Sequence, residues 1–588
     1  VNHVRRLALL LAVIFALAGT AAAAPRNPIA EPAPALIDLT PAVSEDLGSA
    51  LAVGTLSYRA KEYPAVVHGL TITSSDSELP SVRIEVHGLT SLSNLGGTYT
   101  AVAHAPHYRS AAAVLENRHG VELRLFPGPH TAHLSVAADS ILVEAAARSI
   151  DNQTPAPVSS ALNSFTDELG FMSIGLLTIN PTLTVALDGF SEGHAGFGGH
   201  FNYPIADSHE FFELANETGL DFRLALPSLS SITGRVSGIF SMTGGGVDAT
   251  GRPDSLQAKD YALGDSNLQW RSGDIFPSLG HDALTISAGP QDYIIGDGFL
   301  IMDGATNGGS RGALWLAPRT AFANAALVRL ATRGAHLDAF YLEPDDLPHS
   351  HTQMSGVNLE LPLGETASTG FVYAKCFHSD INSRDGLNLF YWRGQANPIL
   401  QLPGFSLQSS FAAETNGSQI SDANGWYVMA AYQFNGLPWT PALSYRYASF
   451  SGGGPDGRRN FDPLFYDSSD WGMWAQGEIL GNWLLTNTNL DSHQVRLVLL
   501  PRDDLTLNLI YYKLLLSSTE QTIVTEPVSP VRSKDFADEI DCIADLTLTS
   551  WWSMTATISA AIPDAAAKQM SGGTTTWLQG MLASTFTF

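Results

Sequence analysis

The sequence predicts an all-β fold, a transmembrane antiparallel β-barrel of about 18 strands preceded by a small β-rich region. Three observations predict it. Charged residues make up 15% of the chain, against roughly 25% in soluble domains, yet beyond residue 24 no run of ~18 apolar residues offers a spanning helix. From about Thr182 onward, short segments alternate apolar and polar residues, the period of a strand with one greasy and one polar face. All eleven tryptophans lie between Trp270 and Trp577, where indole rings would mark the headgroup zone of a membrane.

In chain order, residues 1–24 read as a signal peptide. Arg5 and Arg6 precede the apolar run Leu7 to Ala18, and Ala21 to Ala24 supply small-residue cleavage sites before Pro25. The run is too short to span a bilayer. Residues 25–165 read as a periplasmic β-rich region that opens with a Pro- and Ala-rich linker. Its β-rich runs include Val82 to Val86, Val121 to Phe126 and Ile141 to Ala147. Seven histidines fall here, His68, His87, His104, His107, His119, His130 and His133. The pairs three apart point to opposite faces of a strand and have no carboxylate at ligand spacing, so they read as surface histidines rather than a metal site. A Pro/Ser-rich stretch, Thr154 to Ser160, marks the boundary with the barrel, residues 166–588.

Inside the barrel region, Leu183, Val185 and Leu187 alternate with Thr184 and Asp188. Val357, Leu359 and Leu361 alternate with Asn358 and Glu360, and Phe405, Leu407 and Phe411 with Ser406, Gln408 and Ser410. Polar residues at every second place suit a wet lumen. At roughly 23 residues per strand and connection, the ~420 residues of this region give about 18 strands. Trp471, Trp474, Trp483, Trp551 and Trp552 are placed near strand ends, as an aromatic girdle. The net charge of −26 argues against nucleic acid, whose binding rests on Lys and Arg. Cys376 and Cys542 form neither a disulfide framework nor a zinc site. No cofactor or metal site is expected.

The final residues keep the alternation, with Leu582, Phe586 and Phe588 on one face and Ala583, Thr585 and Thr587 on the other. This resembles the closing strand of bacterial outer-membrane barrels. The resemblance implies that Phe586 and Phe588 form the signal read by the barrel-insertion machinery, and that outer-membrane lipid and lipopolysaccharide surround the protein.

Residues 284–343 and the later Asn460 to Trp474 resemble the alginate-export family of outer-membrane barrels. The matching residues are Gly289, Gln291, Gly296, Asp297, Gly298, Arg319, Thr320 and Phe322. The resemblance implies a passive channel for a polar solute or polysaccharide. Pro290 stands where the family element has arginine, which puts a polyuronate cargo in doubt. By parity, the inward residues include Arg223, Arg329, His336, Asp338, Glu360, Arg446 and Arg496, with Asp188, Asn358, Gln408, Gln494, Asn508 and Asp545. This mixed lining either sets selectivity or pairs across strands to stiffen the wall. Acidic loops such as Glu343 to Asp346 are either solvated or bridge cations to lipopolysaccharide. No nucleophile with its base, P-loop or zinc motif marks an enzyme. The alternative to a channel is a non-conducting barrel that anchors or displays the N-terminal region.

Overall fold

The computed structural model describes residues 172–588, apart from short segments within loops and turns, together with the backbone of eight strands between residues 35 and 147. The expected signal peptide and the histidine side chains of the N-terminal region lie outside the described residues.

The N-terminal strands belong to a unit spanning 23–169. They include Leu79–Val86, Glu122–Arg124 and Leu142–Ala147, each overlapping one of the β-rich runs, and they form one eight-stranded sheet. Most pairings are antiparallel, but Leu79–Val86 runs parallel to Leu142–Ala147.

The second unit is a closed barrel. Eighteen antiparallel strands run from Leu177–Gly193 to Trp577–Thr587, and each pairs with its neighbours in sequence. The last pairs back onto the first, from Thr184↔Thr587 to Gly193↔Leu578. Closure uses Phe588 as well: its N–H donates to the Leu183 carbonyl at 2.7 Å, and the Leu183 N–H donates to the Phe588 carbonyl at 2.9 Å. A ladder without edges is what hydrocarbon demands, because no water there can satisfy a free N–H or C=O.

The alternation of side chains follows from closure. Val328 and Tyr445 are 44% and 47% exposed on the outer face, whereas Arg446 beside Tyr445 is 2% exposed. Connections at the end where the first strand begins are short, such as 226–230 and 332–335. Those at the other end reach 30 and 39 residues, at 292–321 and 451–489. In bacterial barrels short turns face the periplasm and long loops the outside. At the short-turn end, Trp551 stacks on Phe588 at 5.7 Å and Trp552 on Phe586 at 5.7 Å, an aromatic cluster on the outer face.

The remaining tryptophans correct the girdle expectation. Trp474 is 1% exposed and Trp483 is 8% exposed, both inside the lumen on loop 451–489, while Trp471 lies outside the described residues. Their neighbours in sequence mark them as aromatic but not as inward-folded.

Deleting Phe588 removes two ladder bonds at the seam and its stack on Trp551. The expected outcome is a several-fold drop in heat-modifiable, folded barrel in outer-membrane fractions, with secretion unchanged. Wild-type levels of heat-modifiable protein would show that the seam closes without it.

Candidate functional site

The lumen has two halves of opposite character. Towards the long-loop end it is filled by the protein's own chain. Loops 292–321 and 451–489 fold inward and join along a parallel bridge, Ile301↔Phe465. The Met302 N–H donates to the Phe465 carbonyl at 2.7 Å, and the Asp467 N–H to that of Gly298 at 2.8 Å. Phe299, fully buried, is the centre of this plug. Its ring lies 4.8 Å from Trp474 and 5.7 Å from each of Tyr391, Tyr427 and Phe450. Offset and edge-on contacts at such spacings are the favoured aromatic geometries.

Backbone that leaves water needs new partners, and the barrel wall supplies them as carboxylates. Glu213 accepts the N–H groups of Leu314, Trp315 and Leu316, each at 3.0 Å. Glu539 accepts those of Ile479 at 2.6 Å and Leu480 at 2.9 Å, and Glu414 that of Asp462 at 2.8 Å. Asp462 also forms a two-pronged pair with Arg384, both bonds at 2.8 Å. The Trp315 indole donates to Glu478 at 3.1 Å and the Trp483 indole to Gln579 at 2.6 Å.

The residues that carry the family resemblance frame the first inward loop. Gly289 (φ 110) leaves the wall where a Cβ would stand 2.3 Å from the Ser266 carbonyl oxygen. Gln291 donates to the Ala325 carbonyl at 3.4 Å. Gly296 and Gly298 take positive φ, and a Cβ on Gly298 would meet Asp467 at 2.7 Å, so the two loops could not close together. Asp297 accepts from the Tyr427 hydroxyl at 2.6 Å, and its carbonyl accepts from the Trp474 indole at 3.0 Å. Arg319 donates to Ser241 at 2.7 Å and Asp260 at 3.1 Å, Thr320 to Asp292 at 2.7 Å, and buried Phe322 packs on Phe465 at 5.3 Å.

The half towards the short turns is a polar vestibule. Arg329, Asp338 and Asn358 are register partners on three adjacent strands. The Tyr293 hydroxyl donates to Asp338 at 3.0 Å beneath the Arg329 guanidinium, which lies 5.4 Å from its ring centre. Asn358 donates to Asp338 at 3.1 Å, and Arg393 donates to Asn358 at 2.7 Å and pairs with Glu360. Across other strands, Arg235 is surrounded by Glu217 at 3.1 Å, Asp265 at 3.6 Å and Asp221 at 3.7 Å. Arg329, Asp338 and Glu360 therefore meet in one cluster. His336 and Arg223 are exposed on strand segments next to the short turns, and Arg496 donates to Asn508 at 3.1 and 2.9 Å. Arg446 stands apart. It stacks 4.2 Å over Trp474 and donates to the Met473 carbonyl at 2.5 Å, so it holds the plug.

Sequence reading missed Arg235, Tyr293, Arg393, Glu213 and Glu539. Arg393 follows Phe390, Tyr391 and Trp392, where aromatics on both faces erase the alternation. Arg235 was legible between Gly234 and outward Val236. Glu213 and Glu539 carry no local signal, since their plug partners lie 59 or more residues away.

These features define the class: a closed 18-strand β-barrel of the bacterial outer membrane with a polar lumen and inward loops. Residues 404–566 match the family described as alginate export. The match covers the second inward loop and leaves the 284–343 stretch outside it. No curated protein matches the chain. It is similar to the solved OccK5 (OpdH) of Pseudomonas aeruginosa, with 11% identity over 69% of this chain and 98% of that one and a TM-score of 0.44. It is also similar to the outer-membrane protein opdK of the same organism (13%, 71% and 100%, TM-score 0.45) and to OccAB4 of Acinetobacter baumannii (10%, 69% and 98%, TM-score 0.44).

Replacing Glu213 by Ala leaves three backbone N–H groups, that of buried Leu316 among them, without their acceptor, at up to about 1–3 kcal/mol for each one left unmade. Limited proteolysis of the folded barrel should then cut loop 292–321 at least several-fold faster. An unchanged cleavage rate would show that the other contacts hold the loop alone.

On loop 451–489, burial pushes the Glu478 carboxyl up to about 8, Asp541 beside it acting in the same direction and the Trp315 hydrogen bond against it. Docked, this group holds its proton more tightly than it would in water. Docking is thus undiminished at acid pH and weakens as pH rises from the ordinary carboxylate range towards 8. Proteolysis of this loop should be faster at pH 9 than at pH 5, and Glu478→Gln should shrink that difference.

Proposed function

We propose that this barrel is a passive channel for a polar solute or polysaccharide, narrowed by its two inward loops. The observation that carries the reading is the vestibule wall. Charged and hydrogen-bonding groups such as Arg329, Asp338, Asn358, Arg393 and Glu360 cluster there, and the Glu360 side chain, 44% exposed, suits an inner face that water or a polar solute reaches. The lining is mixed in sign and Pro290 replaces the family's arginine, so it lacks the focused positive potential that would concentrate a polyanion. A neutral or mixed-charge polar cargo fits it better than a polyuronate. Lipopolysaccharide around the outer face and the insertion machinery at the closing strand are the partners this reading implies.

One observation favours a second reading, a non-conducting barrel that anchors the N-terminal region: the long-loop half of the lumen is packed with apolar side chains. Planar-bilayer recording separates the two. Discrete steps from the full chain support the channel, and a closed full chain beside a conducting truncation starting at Leu162 would make the N-terminal region a further plug. Arg446→Ala, which frees Met473 and Trp474, should raise unit conductance about twofold or more. A correctly folded variant with wild-type conductance would remove loop 451–489 as the constriction.

A further inference from the structure

The plug does not meet the wall in the same way all round. Against the strands from Phe322–Ala331 to Ala442–Phe450 the contact is largely apolar, through Leu342, Met354, Val372, Leu389, Ala412 and Phe450. Against the consecutive strands Leu490–Arg502, Leu505–Leu516, Asp535–Thr549 and Trp552–Pro563 it is mixed: buried Ser492, Gln494, Glu539, Asp541, Thr557 and Ser559 stand beside Ile510, Tyr512, Leu514 and Ile543. In this strip Ser492 and Thr557 are at most 1% exposed, yet their hydroxyls find no hydrogen-bond partner among the described residues. The same holds for one carboxylate oxygen of Glu478 and the amide oxygen of Gln476 on the loop facing them. Buried polar groups are nearly always paired with protein or water, so a row of them along one wall needs an explanation. An apolar plug sealed against this wall would leave each at a cost of about 1–3 kcal/mol.

The row has two ends. Towards the short turns it begins at Asp545, which accepts from Thr555 at 2.8 Å, and then reaches Asp541, the register partner of Ser559. Towards the long loops it passes Gln476, which donates to Asn487 at 2.6 Å, and then Asn489, which donates to the Ser518 carbonyl at 3.1 Å. Ser518 lines a cavity of about 530 Å³ at the loop end, together with Asn424, Ser451, Ser517, Arg459 and Glu520. The cavity, the unpartnered hydroxyls and the vestibule are therefore strung along one side of the lumen.

We propose that the permeation route follows this strip around the plug, from the vestibule at Asp545 past Asp541 and Glu478 to the cavity at Ser517, and that it selects small monovalent cations. The proposal rests on the channel reading and adds to its polar cargo the ions that pass beside the plug. Along the strip the carboxyls of Glu539, Asp541 and Asp545 stand beside the guanidinium of Arg496, and the cavity adds Glu520 and Arg459. Carboxylates and hydroxyls replace part of a cation's hydration shell, whereas an anion gains nothing from them.

The test uses the full chain in planar bilayers under a salt gradient. Wild-type current should reverse on the cation side. The Asp541→Asn/Asp545→Asn double variant should lower the cation-to-anion permeability ratio by about threefold or more. Independently, Ser517→Cys in a Cys376→Ala/Cys542→Ala background, treated from the loop side with a cationic methanethiosulfonate, should lose about half its current or more. Heat-modifiable migration identifies folded variants, and the Ser517→Cys arm stands if the aspartate variant fails to fold. Wild-type current with anion preference, or current indifferent to both changes, overturns the route while leaving the channel. A wild-type protein that passes no current removes route and channel together.

Discussion

Every feature of this barrel depends on one constraint, that a backbone in hydrocarbon must satisfy its N–H and C=O groups from within the protein. The ladder therefore closes, with Phe588 and Leu183 exchanging bonds at the seam. Closure divides the side chains into two populations by parity. One faces lipid and is apolar, and the other faces an enclosed space whose contents the protein must supply.

How that space is filled gives part of the chain's acidity a task. Fifty-seven carboxylates against thirty-one basic residues read, in a soluble protein, as a solvated surface. Here Glu213, Glu414 and Glu539 turn inward and accept backbone N–H groups from the plug. A loop that leaves water to enter the lumen loses its hydration, and a wall carboxylate replaces it with charge-assisted bonds about twice as strong as neutral ones. Arg446 works in the opposite sense on Met473 and Trp474. The charges of the lumen are thus divided between holding the plug and lining the vestibule.

The two halves of the lumen set the functional question. A polar vestibule lies on the short-turn side, while the packed rings around Phe299 close most of the opposite side. Hydrating Phe299 and Trp474 would cost their buried apolar area, so the plug is firmest there. The asymmetry of the plug–wall contact therefore bears on transport as directly as the charges of the vestibule.

Parity made much of this legible in the sequence. A residue between two lipid-facing neighbours must point inward, so the placement of Arg329 between Val328 and Leu330 was fixed by local alternation. The strand number, about 18, followed from the length of the region at roughly 23 residues per strand and connection. The glycines at 289, 296 and 298 and the residues Arg319 to Phe322 were recognisable as a unit. Their task of turning a loop into the lumen was not, because it depends on Tyr427, Trp474 and Asp467 more than a hundred residues away. The same distance hid the fate of Trp474 and Trp483: an indole near a strand end has the same local signature whether it meets a headgroup or a plug. Period-two patterning is a property of neighbouring residues, and the sequence by itself determined everything that follows from it, namely the barrel, its closing strand and the inward face. Which inward residues hold the plug and which meet water was decided only by the tertiary structure, because it depends on where two long loops return once the barrel has closed around them.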